Sequence, residues 1–194
     1  MALVEVDQPV SNDILAEIKS GEAAARKNYR VEKVIEHLTG QSGDDAFVSD
    51  AMRRGTEMEP AARAAYADFK DVFPVQLGFR VHPRILWVGA SVDCEVEEGV
   101  GGAEFKCPNT AQHIAALVNG MDGKHVAQVQ WEMWVMGWQW NDFVSFDDRM
   151  PAGLELYVQR IPRDQKYIDA MEIKVKAFLK EVDDVVAKLR ALQR

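Results

Sequence analysis

The sequence predicts one α/β domain, a mixed β-sheet between helices, and three observations carry that prediction. A chain of 194 residues that is 47% hydrophobic has the length and apolar content of one domain with a real core. Segments with helical apolar spacing bracket a central region in which short β-rich segments alternate with helical ones, the pattern of a sheet with crossovers. No internal repeat, low-complexity tract or linker divides the chain, so residues 1–194 read as a single domain.

Val10-Ser11-Asn12-Asp13 offers helix-cap chemistry ahead of Ile14, Leu15 and Ile18, and Ser20-Gly21 ends that first short helix. Over 22–38, Tyr29, Val31, Val34, Ile35 and Leu38 recur at roughly helical spacing, with Arg26, Lys27, Arg30 and Lys33 as a basic flank. Thr39-Gly40 stops this helix, and 41–47 reads as a polar loop. A third helix spans 49–70, where Pro60 is expected to introduce a kink or to open a fresh first turn just after Glu59.

Strand signals then take over at 72–81, 85–96 and 102–107. Pro108-Asn109-Thr110 opens a helix to about residue 118, closed by Asn119-Gly120. The stretch 125–137 has the apolar density of a buried helix, with Trp131, Trp134 and Trp138 on one face. Strands at 140–146 and 154–161 flank a polar loop, and a last helix covers 163–192.

Composition excludes several function classes. The net charge of −8 opposes a broad basic nucleic-acid surface, so any contact with DNA must come from a local patch. Cys94 and Cys107 are too few for a four-cysteine zinc or iron–sulfur site, and no structural disulfide is expected of them. No apolar run is long enough to span a bilayer, and the first twenty residues, with Glu5, Asp7, Asp13 and Glu17, lack the features of a signal peptide. A cytoplasmic protein without a membrane partner is expected.

Chemistry concentrates in 89–110, reading GASVDCEVEEGVGGAEFKCPNT. Strand alternation puts Glu104 and Lys106 on one side and Phe105 in the core, and a hairpin turning on Gly99, Gly101 and Gly102 folds Asp93 back beside them. Two carboxylates and an ammonium on one spot suit phosphodiester hydrolysis, which needs a hard divalent cation and an activated water. Asp93, Glu104 and the Phe105 backbone carbonyl are the candidate ligands, and Lys106 is the candidate water-handling cation. A Glu-x-Lys pair taken alone reads far more readily as a surface ion pair, and the aspartate a hairpin away with glycines in the turn brings the two readings level.

Joined to the rest of the chain, these residues resemble the PD-(D/E)xK nuclease motif, with Val92 where a proline is usual. The blocks GTEMEP at 55–60, SVD at 91–93, EFKCP at 104–108, AQVQW at 127–131, Met133-Trp134 and DDRM at 147–150 are similar, in order, to segments of the phage lambda exonuclease and YqaJ-type viral recombinase family. The resemblance covers roughly residues 28–168 and implies a restriction-endonuclease-like fold. It also implies an alkaline exonuclease that uses Mg2+, with Mn2+ as a substitute and two ions per site. The implied substrate is linear double-stranded DNA, cut from the 5′ end to leave 3′ single-stranded overhangs for recombination by strand annealing. A ring-shaped homotrimer, a single-strand annealing partner and a phage or prophage setting in a bacterial cytoplasm follow from the same resemblance.

By position, Glu59 matches a helix-borne acid of the family's site, Asp93 and Glu104 its metal ligands, Lys106 its catalytic lysine and Gln128 the glutamine that completes the pocket. Ser91 matches a polar residue near the scissile phosphate, and Met52 an apolar residue that wedges the strands apart. The chain departs from the family at its start: no tryptophan or arginine precedes Ser11, which leaves Arg26, Lys27 and Arg30 as candidates for holding the 5′ phosphate. Arg53 and Arg54 are expected to line the DNA channel with part of that basic cluster.

Other residues read as structural. The three tryptophans suit a core or a subunit seam, His113 and His125 lack a second histidine at ligating spacing, and Cys107 suits packing. Arg149 suits either a phosphate contact or an ion pair with Asp147 or Asp148. Two other functions stay open: another DNA nuclease of the superfamily, acting as an endonuclease or on single strands, and a non-catalytic DNA-binding module.

Overall fold

Five strands, β1 (Val75–Val81), β2 (Gly89–Glu97), β3 (Gly101–Lys106), β4 (Trp140–Phe146) and β5 (Leu156–Pro162), form one sheet in the order β1-β2-β3-β4-β5 in the computed structural model, which describes residues 24–41 and 49–192. Every neighbouring pair is antiparallel except β3 and β4, which run parallel and are joined by the crossover through α3 (Thr110–Asn119), a 3-10 turn (Gly123–His125) and α4 (Val126–Met136). The predicted mixed sheet between helices is therefore present. The predicted first helix with Ser11, and the loop residues 42–47, lie outside the described residues.

Contacts divide the described residues into two compact units, one of residues 49–168 and one of 24–41 with 169–192. The larger unit holds the sheet, α2 (Asp50–Lys70), α3 and α4. Strand alternation separates its two faces. Ala103, Phe105 and Val144 turn toward Ala62 and Tyr66 of α2, with the Tyr66 and Phe105 rings edge to face at 5.7 Å. Tyr66 also donates its hydroxyl to the buried Asp142 at 2.8 Å, and Arg160 clamps the same carboxylate through Nε at 2.8 Å and Nη2 at 3.0 Å. The opposite face receives α3 and α4: His113 bonds Ser145 at 2.8 Å and His125 lies against Phe143.

Helix α2 is continuous through Pro60, so the proline opens no fresh helix. Ser49 caps its start by accepting the Met52 N–H at 3.2 Å, and Asp71 ends it in the left-handed region at φ 54°. In the smaller unit, α1 (Ala24–Thr39) stacks Tyr29 on Phe178 of α5 (Gln165–Arg190) at 5.5 Å, and Val34 packs with Val182 and Val186.

The glycines of the β2–β3 hairpin divide their work differently from the sequence expectation. Gly99 alone of the three turns the chain with positive φ, at 69°. Gly101 and Gly102 lie in β3, where an added Cβ would fall 2.2 Å from the rings of Trp140 and Trp138 respectively. They are flat so that two indoles can lie on the strand. Trp131, Trp134 and Trp138 are all buried, as expected of core residues, although α4 ends at Met136 before Trp138.

Gly102→Ala is expected to cost about 1–3 kcal/mol, because the added methyl meets both an indole and the Cys94 carbonyl. Denaturant unfolding checks this; a wild-type midpoint would contradict the packing described.

Candidate active site

The β2–β3 ladder pairs Cys94 with Ala103, and just beyond this pair a side chain takes over the backbone's role. Asp93 Oδ2 accepts the Phe105 N–H at 2.8 Å. A strand residue presents its N–H and C=O to the same side, so the Phe105 carbonyl faces the same opening as the Asp93 carboxylate. Glu104 and Lys106 project together toward α4, as alternation predicts, and Lys106 Nζ donates to Glu104 Oε1 at 2.5 Å.

Gln128, on the first turn of α4, closes the group. Its Oε1 accepts from Lys106 Nζ at 3.0 Å, while its Nε2 donates to Glu104 Oε1 at 2.6 Å and to Glu132 Oε1 at 3.0 Å. Glu132 sits one helical turn further on, buried at 2% exposure, and its second oxygen accepts from Asn141 Nδ2 of β4 at 2.7 Å. Glu132 and Asn141 were not singled out from the sequence. The spacing of Gln128 and Glu132 at i and i+4, two polar residues on one face of a chiefly apolar helix, is the signal that points to Glu132.

Acids outnumber bases here, and the titration behaviour follows. Burial first, then the charge of Glu104 and, more weakly, that of Glu59 push the Asp93 carboxyl up to about 8 against the partial relief of the Phe105 N–H. Glu132 is pushed well above the carboxylate range by burial and by Glu104 beside it. Burial alone would lower Lys106, but the charge and hydrogen bond of Glu104 outweigh it and hold the ammonium above its usual value.

The residues present fit a divalent cation. Glu104 Oε2 is buried with no hydrogen-bond partner, an uncompensated carboxylate oxygen beside a second carboxyl that burial and like charge disfavour ionising. Among the described residues no cluster of three His, Cys, Asp or Glu side chains forms a ready metal cage. Two carboxylates and a carbonyl match instead the sparse protein share of a hard cation that keeps much of its water.

The remaining sequence candidates spread more widely. Glu59 on α2 is near enough to raise Asp93 and lies 3.9 Å from Arg63. Ser91 is exposed on β2 two residues before Asp93, and Met52 is 54% exposed near the start of α2. Arg53 is exposed and bonds Asp50 at 2.6 Å, whereas Arg54 bonds Asp148 at 2.7 Å and Asp147 at 3.2 Å. Arg149 takes the ion-pair alternative, with Nε on Asp147 Oδ1 at 2.6 Å. Arg26 and Arg30, in the smaller unit, both bond Glu181 at 2.9 Å, and Lys27 is exposed there.

A raised carboxyl pKa contributes stability that is complete below its unfolded value and lost as pH rises through the folded one. With chelator present, the melting temperature should therefore fall from about pH 6.5 to about pH 8 and level off above, and Asp93→Asn should flatten the fall. His125, lowered to about 4 by burial first, adds a slope of opposite sign that is complete by its unfolded value of 6.5, below this window. A slope unchanged in Asp93→Asn would contradict the crowding of acids described.

The fold has counterparts among known proteins. The YqaJ-like viral recombinase domain family matches residues 13–139. The crystal structure of an alkaline exonuclease from Laribacter hongkongensis is 38% identical, covering 88% of this chain and 86% of that one, with a TM-score of 0.80. The same exonuclease in complex with dAMP matches at 38% identity over 89% of this chain and 87% of that one, also with a TM-score of 0.80. A phage-related exonuclease from Haemophilus somnus, 18% identical over 94% of this chain and 91% of that one with a TM-score of 0.63, shares the fold. No match is found among curated proteins. The mixed sheet is restriction-endonuclease-like, and with a family match over most of its length the chain belongs to the YqaJ-like viral recombinase domain family.

Proposed function

We propose that this chain is a metal-dependent 5′-to-3′ exonuclease that hydrolyses phosphodiester bonds of linear double-stranded DNA and leaves 3′ overhangs for recombination by strand annealing. The observation that carries the reading is the convergence of Asp93, Glu104 and Lys106, with one buried oxygen of Glu104 left without a partner. Membership in a viral recombinase family and the similarity to an alkaline exonuclease, one form of which holds dAMP, support a DNA substrate.

Asp93, Glu104 and the Phe105 carbonyl would hold Mg2+, or Mn2+ in its place, at two ions per site. When bound, such a cation neutralises charge on the phosphoryl oxygens and lowers the pKa of water. The protein's own groups do the positioning. Lys106 Nζ, braced between Glu104 and Gln128, is placed to orient the attacking water and to steady charge on the phosphorane. Ser91, exposed on the same side of β2 as Asp93, is placed to bond the scissile phosphate, and Glu59 adds a third acid at the edge.

Met52 and Arg53 on the exposed start of α2, with Arg54, are assigned to the duplex, and Arg26, Lys27 and Arg30 to the 5′ phosphate. A ring-shaped homotrimer would retain DNA by enclosure, which relieves the need for a basic exterior in a chain of net charge −8. A single-strand annealing protein would receive the product in the cytoplasm of a bacterial host. No described helix is long and apolar enough to cross a membrane.

End-labelled duplexes carrying 5′-phosphate or 5′-hydroxyl ends, incubated with and without Mg2+, test the activity. Wild-type protein should release nucleotides from the 5′ end only with the cation, and Lys106→Ala should lose about 10²–10⁴-fold in rate while still binding ends. Arg53→Glu should weaken binding and reduce its salt dependence. Nicking of closed circular DNA would replace the exonuclease reading with an endonuclease one, and full activity of Lys106→Ala would remove that lysine from the mechanism.

A further inference from the structure

We infer that Glu132 is a positioning residue of this site, fixing the orientation of the Gln128 amide and through it the place of the Lys106 ammonium. The inference rests on the nuclease reading above and adds a residue to it.

The two ends of a glutamine amide have nearly the same shape, so its neighbours decide which end points where. Gln128 must present oxygen to Lys106, because an ammonium has only donors. What holds it that way is acceptors at the other end, and there are two: Glu104 Oε1 at 2.6 Å and Glu132 Oε1 at 3.0 Å. Glu104 also bonds Lys106 and is the acid the proposed site needs for its cation, so its lone pairs are shared. Glu132 also faces Glu104, but it is not one of the proposed cation ligands. Its Oε2 is held by Asn141 Nδ2 at 2.7 Å, and Asn141 is fully buried on β4.

The result is a chain of donors and acceptors, Asn141 to Glu132 to Gln128 to Lys106, that runs from a central strand through one turn of helix to the reactive ammonium. Structure alone does not call for a glutamate here. Its neighbours on α4, Trp131, Met133 and Trp134, are buried and chiefly apolar, and a buried carboxyl is costly where an apolar side chain of similar volume would pack. A group retained at that cost, with both oxygens bonded and one of them to a site residue, is placed for orientation.

Glu132→Gln tests this: a carboxyl can accept on both oxygens whether or not it carries its proton, whereas an amide nitrogen cannot accept, so glutamine leaves either Gln128 Nε2 or Asn141 Nδ2 facing another N–H. On linear 5′-phosphorylated duplex, kcat should fall about 10–100-fold while KM for ends stays within about 3-fold. Adding Asn141→Asp supplies an acceptor for the new amide, frees its oxygen for Gln128, and should recover most of kcat. A readout independent of cleavage runs in parallel: the side-chain NH2 signals of Gln128 in the NMR spectrum of the cation-free protein should change in Glu132→Gln and return toward wild type in the double variant.

Melting curves establish that each variant is folded. Wild-type kcat in Glu132→Gln, a folded double variant no better than the single one, or Gln128 signals indifferent to both would overturn the inference. Wild-type protein that fails to cleave DNA would instead sink the nuclease reading, with the Gln128 signals still deciding whether Glu132 orients that amide.

Discussion

Three carboxyl groups, Asp93, Glu104 and Glu132, are gathered around one ammonium, and the larger unit of the chain is built to keep them there. Like charges at this range in a poorly hydrated place cannot all ionise, which is why burial and mutual repulsion raise Asp93 and Glu132 together. A protein could relieve the strain by opening the site to water or by removing an acid. This one instead caps the group with a tryptophan-rich helix and leaves an oxygen of Glu104 without a partner. An arrangement that is unfavourable by itself is one that a bound cation would relieve, as proposed for this site.

The fold delivers the acids by different routes with little slack. Asp93 is tied by its own side chain to the backbone of the neighbouring strand. Glu104 and Lys106 share a face of β3, a strand covered on both sides. Gln128 and Glu132 come one turn apart on α4, whose Trp131 donates its indole N–H to the Gly89 carbonyl of β2 at 2.9 Å. Trp138 and Trp140 lie on Gly102 and Gly101, so the strand carrying Glu104 and Lys106 is pressed flat two residues before the first of them. Core packing and site geometry are thus the same set of contacts read from two sides.

Much of this was legible in the sequence because it follows from short-range rules. Alternation alone places Glu104, Phe105 and Lys106 correctly, Asn109 is readable as a cap, and Trp140 to Phe146 falls where a strand was predicted. What the rules missed depends on partners distant in the chain. Gly101 and Gly102 look like turn residues until the indoles of 138 and 140 are brought over them. Pro60 looks like a helix boundary, yet the helix runs on to Lys70, whose last turns carry the Tyr66 that packs on the sheet. Glu132 belongs to no motif, and its role rests on Asn141 across the crossover. The division into two units, one assembled from 24–41 and 169–192, joins segments too far apart for any window of sequence to relate. Arg149 was open between phosphate and carboxylate, and Asp147 decides it.

A cation at the gap between β2 and β3 is the central proposal for this site, and anomalous scattering from crystals grown with Mn2+ tests it most directly. The peak is expected in direct contact with Asp93, Glu104 and the Phe105 carbonyl, with Lys106 and Gln128 left outside the coordination sphere. Saturating Mn2+ that produces no peak there, or binds only at other acids of the surface, would contradict it.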